Sequence, residues 1–150
     1  MRRLFIIRKD LHLHAGKLAA MIGHCAECYW MNIIRNNANT EQFFKDGIVT
    51  GYKIYIDNDI VTDYINGIFT KTICEAKNLN HLMKVVEIAK EMGLNEGTDY
   101  GFIDDVCKTD LTPEFVDESG TPRCRVGIWF KPLSDEDSHK LSKKYQLYKD

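Results

Sequence analysis

The apolar run Leu4-Phe5-Ile6-Ile7 leads through a polar turn ending at Gly16-Lys17 into an unbroken helical pattern, and this unit constrains the fold more than any other stretch. Residues Arg3 to Ile7 read as a buried strand, and Ala15 to about Asn36 as a long helix. Projected at about 100° per residue, Leu18, Ile22, Cys25 and Tyr29 form one stripe, which reads as the buried face. Lys17, Met21, His24 and Cys28 form a second stripe beside it. One ammonium and one imidazole therefore look out from the first turns of a helix anchored in the core.

The later segments extend this start. Asn36 to Asn39 reads as a polar break, Thr40 as the N-cap of a short helix through Lys45, and Gly47 and Gly51 as brackets of a turn. The alternation from Tyr52 to Asp57 predicts a short strand, half of a hairpin. A short helix over Asp59–Asn66, closed by Gly67, precedes a strand over Ile68–Glu75. Asn78 or Asn80 caps an amphipathic helix that Gly93 ends. Strands over Thr98–Ile103 and Arg123–Phe130 follow, and Pro132 stops the second. Ser134 starts a last helix with acid in its first turn and Lys143-Lys144 in its last. This order predicts an α/β domain, a mixed sheet of about four strands with helices on its faces.

A chain of 150 residues is sized for one domain with a real core. Five cysteines, an odd number without framework spacing, read as reduced thiols, which favours the cytoplasm. No stretch approaches the roughly 18 apolar residues of a membrane span. Lys and Arg number 20 against 22 Asp and Glu, so the whole-molecule field does not draw in nucleic acid. An RNA contact needs a local patch, for which Arg2, Arg3, Arg8, Lys9, Lys17, Lys108, Arg123 and Arg125 are candidates. Cys25-x-x-Cys28 has no second pair at ligand spacing and lies inside a helix, and His12-x-His14 has no third ligand nearby, so no metal site or cofactor is expected.

The run IIRKDLHLHAGKLAAMIGHCA resembles, without a gap, the opening of the type II peptidyl-tRNA hydrolases, where Arg-x-Asp-Leu leads into Gly-Lys-x-Ala-Ala-Gln and then His-Ala. Met21 stands at the Gln position and Cys25 at the small residue after the histidine. That family's second motif, an Asp and a Thr four residues apart after the third strand, is matched by Asp105-Val106-Cys107-Lys108-Thr109, with Val106-Cys107 replacing a small pair and Lys108 an arginine. The ending LSKKYQLY resembles the family's final helix and Leu-Tyr terminus. The resemblance implies a three-layer α/β/α domain over 1–150, carrying an insertion at about 37–62 and a second within about Glu114–Pro122. It implies hydrolysis of the ester of peptidyl-tRNA in translation, without a cofactor, with neither DNA nor a membrane as partner, and in a homodimer.

Carried onto this sequence, the catalytic candidates are Lys17, His24, Asp105 and Thr109, with Arg8, Asp10 and Lys108 for substrate binding. Ester hydrolysis needs a positioned water, a group to take or relay its proton, and positive charge or N–H donors for the oxyanion. Asp105 is expected to orient or deprotonate the water, Thr109 to hold the acid or the substrate, Lys17 to meet the oxyanion or a terminal phosphate, and His24 to relay a proton or touch the tRNA end. Each has a plainer reading: a solvated lysine, a boundary histidine, an acidic turn at Asp104-Asp105. Two rival functions are an inactive module binding RNA or protein through Gly47–Asp59, and a hydrolase of another small ester or amide.

Overall fold

The computed structural model describes residues 1–36, 38 and 40–150; Asn37 and Asn39, half of the expected polar break, lie outside the described residues. The chain runs β1 (Arg3–Arg8), α1 (Ala15–Arg35), β2 (Thr40–Lys45), β3 (Ile48–Ile54) and α2 (Asn58–Ile60), which a π-helical turn (Val61–Ile65) continues. Then come β4 (Lys71–Ala76), α3 (Leu79–Glu91), β5 (Tyr100–Asp105), β6 (Phe115–Val116), β7 (Pro122–Phe130), α4 (Asp135–Ser142) and β8 (Gln146–Leu147).

The main sheet has the order β5-β7-β1-β4-β8, with β6 paired to β7. β1 and β4 are parallel and the other pairings antiparallel, so β1, β4 and β5 all run the same way and end at the same edge of the sheet. β1 sits at the centre because every one of its residues is buried. Leu4 and Ile6 face the core under α3 and α4, while Phe5 and Ile7 face the core under α1, as period-two alternation requires. The result is the expected three-layer α/β/α mixed sheet, with more strands than the four anticipated. The extra ones are the two-residue strands β6 and β8, too short to show an alternating pattern. Gly127 on β7 lies opposite Ile7, where a Cβ would come within 2.7 Å of the Ile6 carbonyl oxygen, so only glycine lets these strands meet.

The capping predictions for α3 and α4 hold. The Asn78 side chain accepts from His81 N at 2.9 Å, Ser134 accepts from Asp137 N at 3.1 Å, and Gly93 closes α3 at φ +77°. Three expectations need correction. Thr40–Lys45 is a strand, because Asp46-Gly47 adopts the paired positive φ values (+54° and +77°) of a two-residue hairpin turn that joins it to β3. The last helix ends at Ser142, and Gln146–Leu147 adds a strand to the sheet edge instead. The inward stripe of α1 is Met21, Cys25 and Tyr29, with Leu18 and Ile22 only half-buried. Met21, 3% exposed, therefore packs in the core beside Phe5 and Ile7, and at its position an apolar side chain adds buried area where an amide would need partners.

Arg3 is the other departure from a simple pattern. Fully buried, it donates from Nε to the Phe130 carbonyl and from its two Nη atoms to the carbonyls of Ala26 and Cys25, with its guanidinium over the rings of Phe5 and Tyr29. It ties α1 to β1 and β7, so it drops out of the basic patch expected to meet RNA. Among the described residues no helix is long and apolar enough to cross a membrane.

Candidate active site

The sheet edge where β1, β4 and β5 end receives the start of α1, which has no side-chain cap and no acid in its first turn. Such an edge collects loops and the positive end of a helix, an arrangement suited to anionic groups. Lys17, in the first turn of α1, reaches across to the last residue of β5, and its Nζ donates to Asp105 Oδ1 at 2.8 Å. The second carboxylate oxygen accepts from Cys107 N at 2.9 Å, a local turn that closes the chain over the acid. Cys107 sits at φ +57°, the left-handed conformation that the small pair of the resembling motif takes more cheaply. The loop thus reaches its geometry at the cost of strain. Cys107 Sγ turns back to the Asp105 carbonyl at 3.5 Å.

Burial acts to raise the Asp105 pKa, but the Lys17 hydrogen bond, the Cys107 N–H and the charges of Lys17 and His24 outweigh it and hold it below the usual aspartate value. Asp105 is therefore an anion at neutral pH, with its side chain 9% exposed. His24 lies exposed two turns along α1, on the same stripe as Lys17. Cys28, next on that stripe, lines a groove of about 300 Å³ with Asn32, Gly101, Phe102, Asp104 and Arg125.

Behind this pair is a second ionic cluster. Arg8, at the end of β1, donates from Nε and Nη2 to the two oxygens of Asp10 at 3.1 and 2.8 Å, and from Nη1 to both oxygens of Glu114 at 2.6 and 2.8 Å and to the Arg125 carbonyl at 2.9 Å. With its side chain 5% exposed, Arg8 is a buried brace and has no face free for a ligand. Asp10 is the other arm of the brace. These contacts hold β1, the loop after β5 and β7 together, and Asp10 itself stays exposed at the surface. Glu114 is the residue that sequence reading missed, since it fell in the presumed second insertion. It also accepts from Arg125 N and from Cys124 Sγ; burial acts to raise its pKa, but the Arg8 guanidinium and these donors hold it below the usual glutamate value. The signal for it was indirect: an arginine ending a buried strand needs a carboxylate, but the sequence does not say which of 22 acids supplies it.

Lys108 and Thr109 lie exposed on the loop. The Thr109 hydroxyl makes no hydrogen bond to Asp105, whose partners are Lys17 and Cys107 N–H, so its expected hold on the acid is not made, and the residue is exposed. The rest of the expected basic patch is largely neutralised: Arg125 pairs with Asp104, Arg123 with Asp117, Arg2 with Asp135. Among the described residues no three His, Cys, Asp or Glu side chains are grouped to hold a metal ion. Cys25 is fully buried and its thiol is pushed up by desolvation.

What the arrangement offers is an ionised carboxylate, an ammonium beside it with two further N–H donors, and an exposed imidazole on the same helix stripe. No curated protein matches the chain. The family model described as peptidyl-tRNA hydrolase PTH2 matches residues 1–148, essentially the full length, and the chain belongs to that family.

Proposed function

We propose that this chain hydrolyses the ester between a peptide's C-terminus and the terminal ribose of tRNA, and that Lys17 and Asp105 carry the reaction. The observation that supports this most is the 2.8 Å Lys17–Asp105 contact, which joins two residues 88 positions apart at the open sheet edge. A water held by the Asp105 carboxylate attacks the ester carbonyl. Lys17 faces the oxygen that becomes negative, and one of its N–H groups remains on Asp105 so that the ammonium stays aimed. As the tetrahedral carbon collapses, the carbonyl–ribose bond breaks and the ribose oxygen takes up the proton that the water gave up.

To His24, exposed on the same stripe of α1, falls the relay of that proton or a contact with the tRNA end. Lys108, exposed and without an ion pair among the described residues, is available to a phosphate, and the Thr109 hydroxyl to the substrate. Because Asp105 is held anionic, it works mainly by orienting the water and keeping the Lys17 ammonium aimed at the oxyanion. The same reading includes RNA binding through the exposed members of this set, a cytoplasmic place of action in translation, and a homodimer.

The test is single-turnover release of free tRNA from an N-acetyl-aminoacyl-tRNA by wild type, Lys17→Ala and Asp105→Ala. Wild type cleaves, and both variants lose at least about 100-fold in rate while remaining folded. No cleavage by wild type at stoichiometric protein refutes the reading. Cleavage equally fast without the tRNA body points instead to a small-ester hydrolase.

A further inference from the structure

The β2–β3 hairpin stands apart from the main sheet. Among the described residues it pairs with no other strand, and none of the backbone groups of Glu41–Lys45 or Ile48–Ile54 bonds to backbone outside the hairpin. A lone two-stranded ribbon is marginal in water and its edges are open to further pairing. It is also unusually apolar: Phe43, Phe44, Ile48 and Tyr52 are exposed, Phe44 at 60% and Ile48 at 68%. Its charges cancel, Glu41 and Asp46 against Lys45 and Lys53, so nothing on it favours a polyanion. We propose that this hairpin is a self-association surface, in which β2 pairs antiparallel with β2 of a second copy of the chain, Phe43 lying on the twofold axis. The proposal rests on the homodimer of the reading above and adds its interface; sedimentation tests it apart from turnover.

The choice of edge and of register follows from the hairpin itself. In β3 the pairing jumps from Phe43–Gly51 to Phe44–Val49, so Thr50 is an extra residue, and such a bulge twists an edge away from further pairing. β2 carries no extra residue. The Asp46-Gly47 turn makes Lys45 and Ile48 a hydrogen-bonded pair, and alternation then sends the backbone groups of Gln42 and Phe44 outward. Placing Phe43 opposite Phe43 brings Gln42 opposite Phe44 twice, so these outward groups exchange hydrogen bonds. The same register sets Glu41 opposite Lys45 twice. Moving the axis by one residue, to Gln42 or Phe44, destroys both charge pairs. Each Phe43 ring also gains open ground, because its partner in β3 is Gly51, without a side chain. Glu41 is already held on that face by Tyr55, whose hydroxyl donates to it at 2.9 Å.

The experiment is sedimentation of the full chain from micromolar to several hundred micromolar. Wild type rises from 17.3 kDa toward twice that mass. Glu41→Lys and Lys45→Glu, both exposed and remote from the Lys17–Asp105 pair, each weaken association about tenfold or more by setting like charges opposite each other. An equimolar mixture of the two single variants restores it, since one chain then carries lysine at both positions and the other glutamate at both, and every pair across the axis is again of opposite sign. A wild type that stays monomeric overturns the proposal, as does a dimer indifferent to both reversals. Variants that keep the wild-type mass but lose tRNA affinity overturn it too, in favour of an RNA-binding hairpin.

Discussion

The Lys17–Asp105 contact can be measured as an energy by a double-mutant cycle of Lys17→Met and Asp105→Asn. The two side chains are 21% and 9% exposed, so the pair is only partly screened by water. Asp105→Asn keeps the shape but turns an acceptor oxygen into an NH2 donor that must face either Lys17 Nζ or Cys107 N–H. Losing one charge-assisted hydrogen bond and setting two donors against each other costs about 2 kcal/mol. Lys17→Met leaves the Asp105 carboxylate half-buried with only Cys107 N–H, at about 1.5–2 kcal/mol. In the double variant neither unpaired charge remains, so its cost falls short of the sum by about 1–1.5 kcal/mol. In urea, with a slope of about 2 kcal/mol/M, each single variant shifts the midpoint down by about 1 M and the double variant by clearly less than 2 M. Strict additivity would mean that the two groups do not touch, and the site geometry would fail with it.

Further outcomes rest on the same region. Because Asp105 and Glu114 have folded pKa values below their unfolded ones, their stabilisation is fully present above the unfolded values and is lost as pH falls through the folded ones. Stability therefore drops only below about pH 4, and urea midpoints are flat in this contribution from about pH 5 to 8. Cys107→Gly relieves the φ +57° backbone and raises stability by up to about 1 kcal/mol, while Cys107→Val lowers it by more; thermal melts decide. Arg8→Lys cannot serve both Asp10 and Glu114 in the fork geometry seen here and costs about 2–3 kcal/mol, lowering the melting temperature by roughly 5–10 °C. An unchanged melting temperature would show that the brace contributes nothing to stability.

Neighbouring residues alone were enough to specify the parts whose signal is local. The apolar run of β1, the period of α1 and α3, the Asn78 and Ser134 caps and the Gly93 stop were all legible, because each is written within one or two turns of chain. So were Lys17 and Asp105 as candidates, through a family resemblance carried by short motifs. Tertiary packing settled what depends on distant partners. Met21 and Leu18 compete for the inward face of α1, and only the position of β1 and β7 makes Met21 the one that is buried. Arg3 and Arg8 look like surface charge until the Phe130 carbonyl, 127 residues from Arg3, and the Glu114 carboxylate, 106 residues from Arg8, join nearer partners around them. The Thr40–Lys45 segment read as helix because its own pattern is weak, and pairing with β3 across a two-residue turn overrode it. Local interactions leave a trace in neighbouring residues, whereas the geometry of a site is set where segments far apart in sequence compete for the same buried volume and for the same few partners.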